Sequence, residues 1–290
     1  MFSKTFLAIA ALLSTALVSS ATPLEKRQRA RLVRQCTVPN TVALTFDDGP
    51  YNYLRDIVNT LDAAGAKGTF FFNGNNWGCI YDPANRERVK YAYDHGHLVA
   101  SHTWGHRNLA TLSWDQIHDE MWRVEQALMR ITGAKPAFMR PPYGSYNDLV
   151  LDAAGNRGQT VVIWDFDSQD TAGASAQTSR NLYDQAIGGR PNTILTLNHE
   201  TIATTAYEVL PYAIQRLQAA GYRLVTLSEC LGTSSYQSVS APGTPDVSRS
   251  LFRASMFRFG NSLPRFRRAG GVDSNRTDTP QSPTSYCPRL

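Results

Sequence analysis

No long hydrophobic run follows the first two dozen residues, which excludes a later transmembrane helix. The C-terminus lacks the apolar tail of a lipid-anchor signal. Cysteine is scarce: the chain has four, none in a Cys-x-x-Cys pair or a Cys/His cluster, so nothing points to a thiolate metal site. Basic charge is missing where the chain is most patterned. The formal net charge is +5, yet residues 36–232 carry 15 Lys and Arg against 20 Asp and Glu. The surplus sits at the two ends, with eight arginines after Gly232. A body without a basic stripe gives no footing for nucleic acid.

What is present begins with a secretory pattern. Lys4, the apolar stretch Phe6 to Val18 and the small residues Ser19-Ser20-Ala21 read as a signal peptide over 1–21. Residues 22–35 read as a propeptide-like segment. Its dibasic Leu24-Glu25-Lys26-Arg27 places the start of the mature chain near Gln28. A secreted protein, extracellular or in a cell wall, is expected, with no stable membrane insertion, acting as a monomer. Cysteines in such a chain favour disulfides. A Cys36–Cys230 bridge would tie together the ends of the patterned region. The pairing of Cys79 and Cys287 stays open.

Within 36–232, apolar strand-like runs alternate with helical periodicity. The runs are 42–46, 69–73, 98–101, 137–139, 160–165, 194–198 and 223–227. The clearest helix has Ile117, Met121, Val124, Leu128 and Ile131 on one face. Ser113 with Gln116 gives it a capping box, and Gly133 marks its end. A second helix uses Leu54, Ile57, Val58 and Leu61. A third spans 206–219, with Pro211 as a candidate kink. Regular alternation argues for an α/β fold with a parallel sheet covered by helices. Seven strands suit an open or distorted barrel; a doubly wound sheet is the competing architecture. From 233 to 290 the pattern stops in a Ser-, Pro-, Thr-, Gly- and Arg-rich tail carrying the glycosylation triplet Asn275-Arg276-Thr277.

The chemistry-bearing residues fall at predicted strand ends. Thr45-Phe46-Asp47-Asp48-Gly49-Pro50 delivers two adjacent carboxylates, whose side chains would point to opposite sides of a strand. One could hold a cation while the other faces a reacting water. Downstream, Ser101-His102-Thr103-Trp104-Gly105-His106 places two imidazoles four residues apart, which share a face if the segment is a helical turn. Asp48, His102 and His106 would leave a fourth position open, as a hydrolytic zinc site requires. Asp47 is then free to act as general base, and Arg140 in Arg140-Pro141-Pro142-Tyr143-Gly144 could keep it ionised. His199 closes the run Ile194–Asn198 and suits a general acid, with Asp170 as its carboxylate partner. Trp77, Trp104, Tyr143 and Trp164 could offer faces to sugar rings. His95, His97 and His118 read as ordinary histidines.

At these residues the chain resembles the carbohydrate esterase family 4 polysaccharide deacetylases, the NodB-homology domain, and within them the fungal-type chitin deacetylases. Five segments carry the resemblance, over about 41–231: the Asp47-Asp48 turn, the His102/His106 segment, the Arg140 loop, Asp167-Ser168-Gln169-Asp170 and Leu197-Asn198-His199. It implies a distorted (β/α)7 barrel and a divalent ion, Zn²⁺ or Co²⁺, on Asp48, His102 and His106. It implies Asp47 as base oriented by Arg140, and His199 as acid tuned by Asp170. The Tyr143 N–H would face the oxyanion, and Leu197 the acetyl methyl. The substrate would be chitin or a related acetylated polysaccharide. Thr171, Asn198 and Glu200 depart from the family pattern. Acetylxylan esterase is the nearest rival. A non-haem iron oxygenase uses the same ligand types on a different fold, and an inactive carbohydrate-binding protein would show a broken motif.

Overall fold

The computed structural model describes residues 29–243 and Cys287. The signal peptide, the Gln28 boundary, the arginine-rich stretch and Asn275 lie outside them.

In chain order the elements are β1 (Leu32–Val33), β2 (Thr41–Asp47), α1 (Leu54–Ala63), β3 (Gly68–Phe72), α2 (Pro83–Asp94), β4 (Leu98–Ser101), α3 (Trp114–Thr132), β5 (Ala134–Pro136) and β6 (Phe138–Met139). Then follow α4 (Asp148–Asn156), β7 (Thr160–Val162), β8 (Phe166–Asp167), α5 (Ala176–Gly188), β9 (Thr193–His199), α6 (Leu210–Ala219), β10 (Arg223–Leu224), α7 (Leu227–Leu231) and β11 (Tyr236–Val239).

All seven sequence runs contribute a parallel strand, and the order β1-β7-β6-β4-β3-β2-β9-β8, with β10 also on β2, makes one curled sheet. The fold is a distorted (β/α)7 barrel; the doubly wound alternative is set aside because the sheet curls around its own interior cluster. Two cores follow from period-two alternation. Val42, Leu44 and Phe46 of β2 pack outward in the layer beneath α1, α2, α3 and α6. Ala43 faces inward with Phe71, Ala100, Phe138, Val162 and Leu195. Thr45 and Asp47 continue that inward face.

α3 forms as its sequence dictates. Ser113 Oγ accepts from the Gln116 N–H, Gln116 Oε1 accepts from the Ser113 N–H, and Gly133 closes the helix at φ 81°. The apolar stripe from Ile117 to Ile131 is buried. Before Pro211 the chain makes one wide turn over Thr205–Val209 and then enters α6, so the irregularity expected at Pro211 falls in the preceding turn.

The frame extends past the patterned stretch at both ends. β1 pairs in parallel with β7. β11 pairs antiparallel with β5, inside the stretch read as tail. The Ser240 N–H donates to Gly133 O (2.9 Å), and a Cβ on Gly133 would lie 2.0 Å from Ser240 O. The 160–165 and 223–227 runs end early: Asp165 leaves the sheet, and Leu227 starts α7. Cys36 is bridged to Cys230, and Cys79 to Cys287. The second bridge resolves the pairing that sequence left open.

Candidate active site

Asp47 is the last residue of β2 and pairs in register with His199, the last of β9. Both face the barrel mouth, since Thr45 and Asp47 alternate inward on one strand, and Leu195, Leu197 and His199 on the other. Arg140 follows β6 and crosses the interior to meet them, with no exposed surface. Its Nη1 donates to Asp47 Oδ1 (2.8 Å) and to Thr45 Oγ1 (2.7 Å), and its Nη2 donates to Ile163 O (3.1 Å). The guanidinium lies over the Phe71 ring at 4.3 Å. Burial draws the Arg140 pKa down, and the Asp47 carboxylate opposes it. A buried charge of this kind persists only when paired and hydrogen-bonded.

Asp48 departs from the strand. Its φ is 74°, which turns its carboxylate back toward the side that Asp47 faces. The expected opposition of the two carboxylates is therefore absent. His102 Nε2 lies 3.8 Å from Asp47 Oδ2 and 3.6 Å from Asp48 Oδ1. His106 Nε2 lies 3.2 Å from Asp48 Oδ1. The expected helical turn is absent too. Residues 102–106 form a loop with left-handed Thr103 (φ 69°) and His106 (φ 52°). Asn73 Nδ2 donates to His102 O (2.5 Å) and Thr103 O (3.0 Å). Glu120 on α3 accepts the Gly105 N–H (2.7 Å).

The donor set fits a cation. One ligand atom each from Asp48, His102 and His106 lies within 4.8 Å of the others. His102 Nδ1–H donates to Arg140 O (2.8 Å), which leaves Nε2 as the free lone pair. Burial lowers the pKa of both histidines, favouring the neutral form that ligates. Burial raises Asp48, against the attraction of His102 and His199.

His199 stands across from this cluster. Its Nδ1–H donates to Asp170 Oδ1 (2.7 Å), and its backbone N–H donates to Asp170 Oδ2 (2.7 Å). Thr205 Oγ1 holds that second oxygen (2.7 Å). Burial by itself would push the imidazolium down. The Asp170 hydrogen bond and charge, with Asp47 and Asp48 behind them, outweigh it and hold His199 at about 9. At neutral pH it carries a proton.

Asp47, Asp48, His102, His106, Tyr143, Trp164, Thr171, Leu197 and His199 share one cleft of about 390 Å³. Two grooves of about 460 and 610 Å³ lie elsewhere and include none of these residues, so chemistry rather than size marks the site. Tyr143 has φ 61° and rests its ring against His106 at 4.8 Å. Trp104 is core, 4% exposed, with the Arg123 guanidinium over its ring. Trp77 stands outside the cleft, 58% exposed and edge-on to Tyr51.

Thr45, Glu120 and Thr205 were not singled out from sequence. Only Glu120 left a trace there, as an acid on the apolar face of α3. Glu200, noted solely as a departure, is fully buried. Its Oε1 accepts the Tyr51 N–H (2.6 Å), and a Cβ on Gly49 would meet its carboxyl carbon at 2.1 Å. Glu200 thus packs beneath the turn that follows Asp48. Burial pushes its carboxyl well above the usual range.

A buried carboxylate and a protonated imidazole flank a three-residue cluster that could hold a cation, at the C-terminal mouth of a parallel barrel, an arrangement suited to metal-assisted hydrolysis. The comparisons specify which kind. The polysaccharide deacetylase family profile matches residues 34–162. A chitin deacetylase of Pestalotiopsis sp is 39% identical over 236 residues, covering 78% of this chain and 76% of that protein. A chitin deacetylase of Colletotrichum lindemuthianum is 34% identical over 223 residues, covering 74% and 89%. The solved structure of the Colletotrichum lindemuthianum chitin deacetylase aligns with TM-score 0.67 and 32% identity, over 71% of this chain and 93% of that one. The chain belongs to the polysaccharide deacetylases of carbohydrate esterase family 4.

Proposed function

We propose that this protein removes N-acetyl groups from chitin or chitin oligosaccharides, releasing acetate and leaving chitosan. The observation that carries this reading is the pairing of Asp47 with His199 across β2 and β9, flanking the Asp48, His102 and His106 cluster. The names of the relatives above support the N-acetyl substrate.

Asp48, His102 and His106 would hold a divalent ion, Zn²⁺ or Co²⁺, which when bound polarises the acetyl carbonyl and makes a water acidic enough to ionise near neutrality. Asp47 accepts the proton of the attacking water. Arg140 holds the Asp47 carboxylate in one orientation, because its guanidinium is itself fixed by Thr45 Oγ1, Ile163 O and Thr196 O. The backbone N–H of Tyr143 is aimed at the carbonyl oxygen as negative charge develops there. Leu197 packs against the acetyl methyl, and Trp164 closes the wall beside Tyr143. His199 donates its proton to the departing nitrogen, so amine and acetate separate. Asp170 keeps that imidazole charged and correctly turned.

Two disulfides suit an oxidising, extracellular setting. We read the functional unit as a secreted monomer, with the catalytic domain over 36–232 extended by β1 and β11. The test is acetate release from chitin oligomers, chitosan and acetylated xylan. Asp47→Asn and His199→Ala should each cut turnover on N-acetyl oligomers by about 10²–10⁴-fold in protein that still folds, Asp47→Asn at reduced stability because Arg140 loses its anion. Preference for acetylated xylan would move the assignment to the esterase, and wild-type rates in both variants would end it.

A further inference from the structure

β2 and β9 pair in register from Thr41–Thr193 to Ala43–Leu195 and again at Phe46–Asn198 and Asp47–His199, but not at Leu44 and Thr45. The lapse is one-sided. Leu44 and Thr45 stay paired with Gly68 and Thr69 of β3, and Thr196 and Leu197 with Phe166 and Asp167 of β8. It lies just below Asp47. A regular parallel ladder in this register would aim the Thr45 N–H at Thr196 O. That N–H donates to Thr196 Oγ1 instead (3.0 Å).

The diversion releases Thr196 O. The Thr45 hydroxyl donates to it, and Arg140 Nη2 lies 3.5 Å from it. Because the hydrogen of Thr45 Oγ1 is spent there, a lone pair of that oxygen faces Arg140 Nη1 (2.7 Å), and the same Nη1 grips Asp47 Oδ1 (2.8 Å). The diverted bond is held from the outer face of the sheet, since Thr196 and Asn198 alternate with the inward Leu195, Leu197 and His199. Thr196 Oγ1 donates to Ala43 O (3.3 Å) and accepts from Asn198 Nδ2 (2.9 Å), so its one hydrogen and both lone pairs are in use. Asn198 Nδ2 also donates to Thr45 O (3.2 Å), and Asn198 Oδ1 accepts the Tyr183 hydroxyl of α5 (2.9 Å). Thr45, Thr196, Asn198 and Tyr183 are all buried.

We infer that Thr196, backed by Asn198 and Tyr183, is a positioning residue for the proposed base. By diverting one ladder bond it frees the carbonyl that orients Thr45 and Arg140, and through them Asp47. This rests on the deacetylase reading, which makes Asp47 the base. It also gives a task to Asn198, which departs from the family pattern. Thr196→Val removes the hydroxyl at nearly constant volume, so the Thr45 N–H is expected to reclaim Thr196 O and close the ladder. Arg140 then loses an acceptor, and the Thr45 hydroxyl loses the partner that aims its lone pair. A network that serves stability alone would lower the melting temperature on removal and leave the rate of the folded protein as it is.

The experiment compares Thr196→Val, Thr196→Ser and Tyr183→Phe with the wild type on chitohexaose, with kcat and KM taken per folded molecule below each melting midpoint. Thr196→Val should lower kcat by at least about tenfold with KM within about twofold, the mark of misplaced reacting groups rather than lost substrate binding. Thr196→Ser keeps the hydroxyl and should recover most of the rate. A Thr196→Val protein with kcat within about twofold of wild type, a loss confined to KM, or a Thr196→Ser protein as slow as Thr196→Val would overturn the inference. Should Thr196→Val fail to fold, Tyr183→Phe decides. It removes one oxygen at the outer end of the network and should lower kcat about threefold; an unchanged kcat overturns the inference.

A second readout needs no turnover. The Nη–H NMR signals of Arg140, assigned by their loss in Arg140→Lys, should be resolved in the wild type and merge in Thr196→Val as the guanidinium gains freedom to rotate. Signals already merged in the wild type, or still resolved in Thr196→Val, overturn the positioning at any activity. If the wild type releases no acetate while the signals behave as expected, the deacetylase reading falls and the link from Thr196 to Arg140 stands.

Discussion

The interior of the site and its rim are built by different means. Asp47, Arg140 and His102 are buried and tied to the sheet: one ends β2, one crosses the barrel, one is fixed by Asn73 and the Arg140 carbonyl. Asp48, His106 and Tyr143 sit on loops with left-handed backbones. Among the described residues, seven non-glycine residues have φ in that region, and five of them, Asp48, Thr103, His106, Tyr143 and Gln169, belong to the loops of the site. Each such residue costs on the order of 1–3 kcal/mol, held in place by its surroundings. The interior therefore gets its geometry from strand pairing, and the rim from strain that neighbours such as Glu120 and Glu200 hold in place. Damage to the interior should spread to folding, whereas damage to the rim should stay in the chemistry.

Arg140→Met is the most severe test. It leaves Asp47 buried without its cation, so it should lower stability by about 3–5 kcal/mol as well as stopping turnover. Denaturant unfolding measures the first and acetate release the second; an inactive protein of unchanged stability would break the contrast. His106→Ala should remove bound metal and at least about 100-fold of the activity. Because His106 is on the rim, stability of the metal-free protein should shift by only about 0.5 kcal/mol. Elemental analysis and melting of the chelated protein check both halves.

Asp170→Asn probes the acid. In the proposed mechanism the His199 imidazolium is the active form, and it is lost as pH rises through about 9. Without that carboxylate only Asp47 and Asp48 oppose burial and the pKa falls, so the alkaline limb of the rate profile should move to lower pH. An unchanged limb would mean that another group donates the proton. The smallest effect on turnover belongs to Glu200. Glu200→Gln retains an acceptor for the Tyr51 N–H and should stay near wild type. Glu200→Ala leaves that N–H unpaired and should lose roughly 1–3 kcal/mol, read by thermal melting. Equal effects from the two would deny Glu200 its place beneath the turn.

The same division decides what could be read in advance. Asp47, Arg140, Asp170 and His199 were visible because each follows an apolar run whose end can be located by periodicity. The seven main strands and the α3 caps were visible for that reason too. The direction of Asp48 and the path from His102 to His106 were not. A left-handed φ on Asp, Thr or His leaves no mark in residue type, so both were expected in regular geometry. β1 is two residues long, and β11 is the polar Tyr-Gln-Ser-Val, so neither shows a period. Glu120 meets Gly105 from another element, through a tertiary contact that no local pattern announces. The Cys79–Cys287 bridge was open because connectivity is not a property of sequence spacing.

The in-register pairing of Asp47 with His199 has a practical side. The spacing of Asp47 and His199, the proposed proton acceptor and donor, is set by a backbone ladder rather than by the loops around it. A different rim can be grafted onto this frame for other acylated polymers provided the Asp170 and Thr205 contacts that keep His199 protonated are retained.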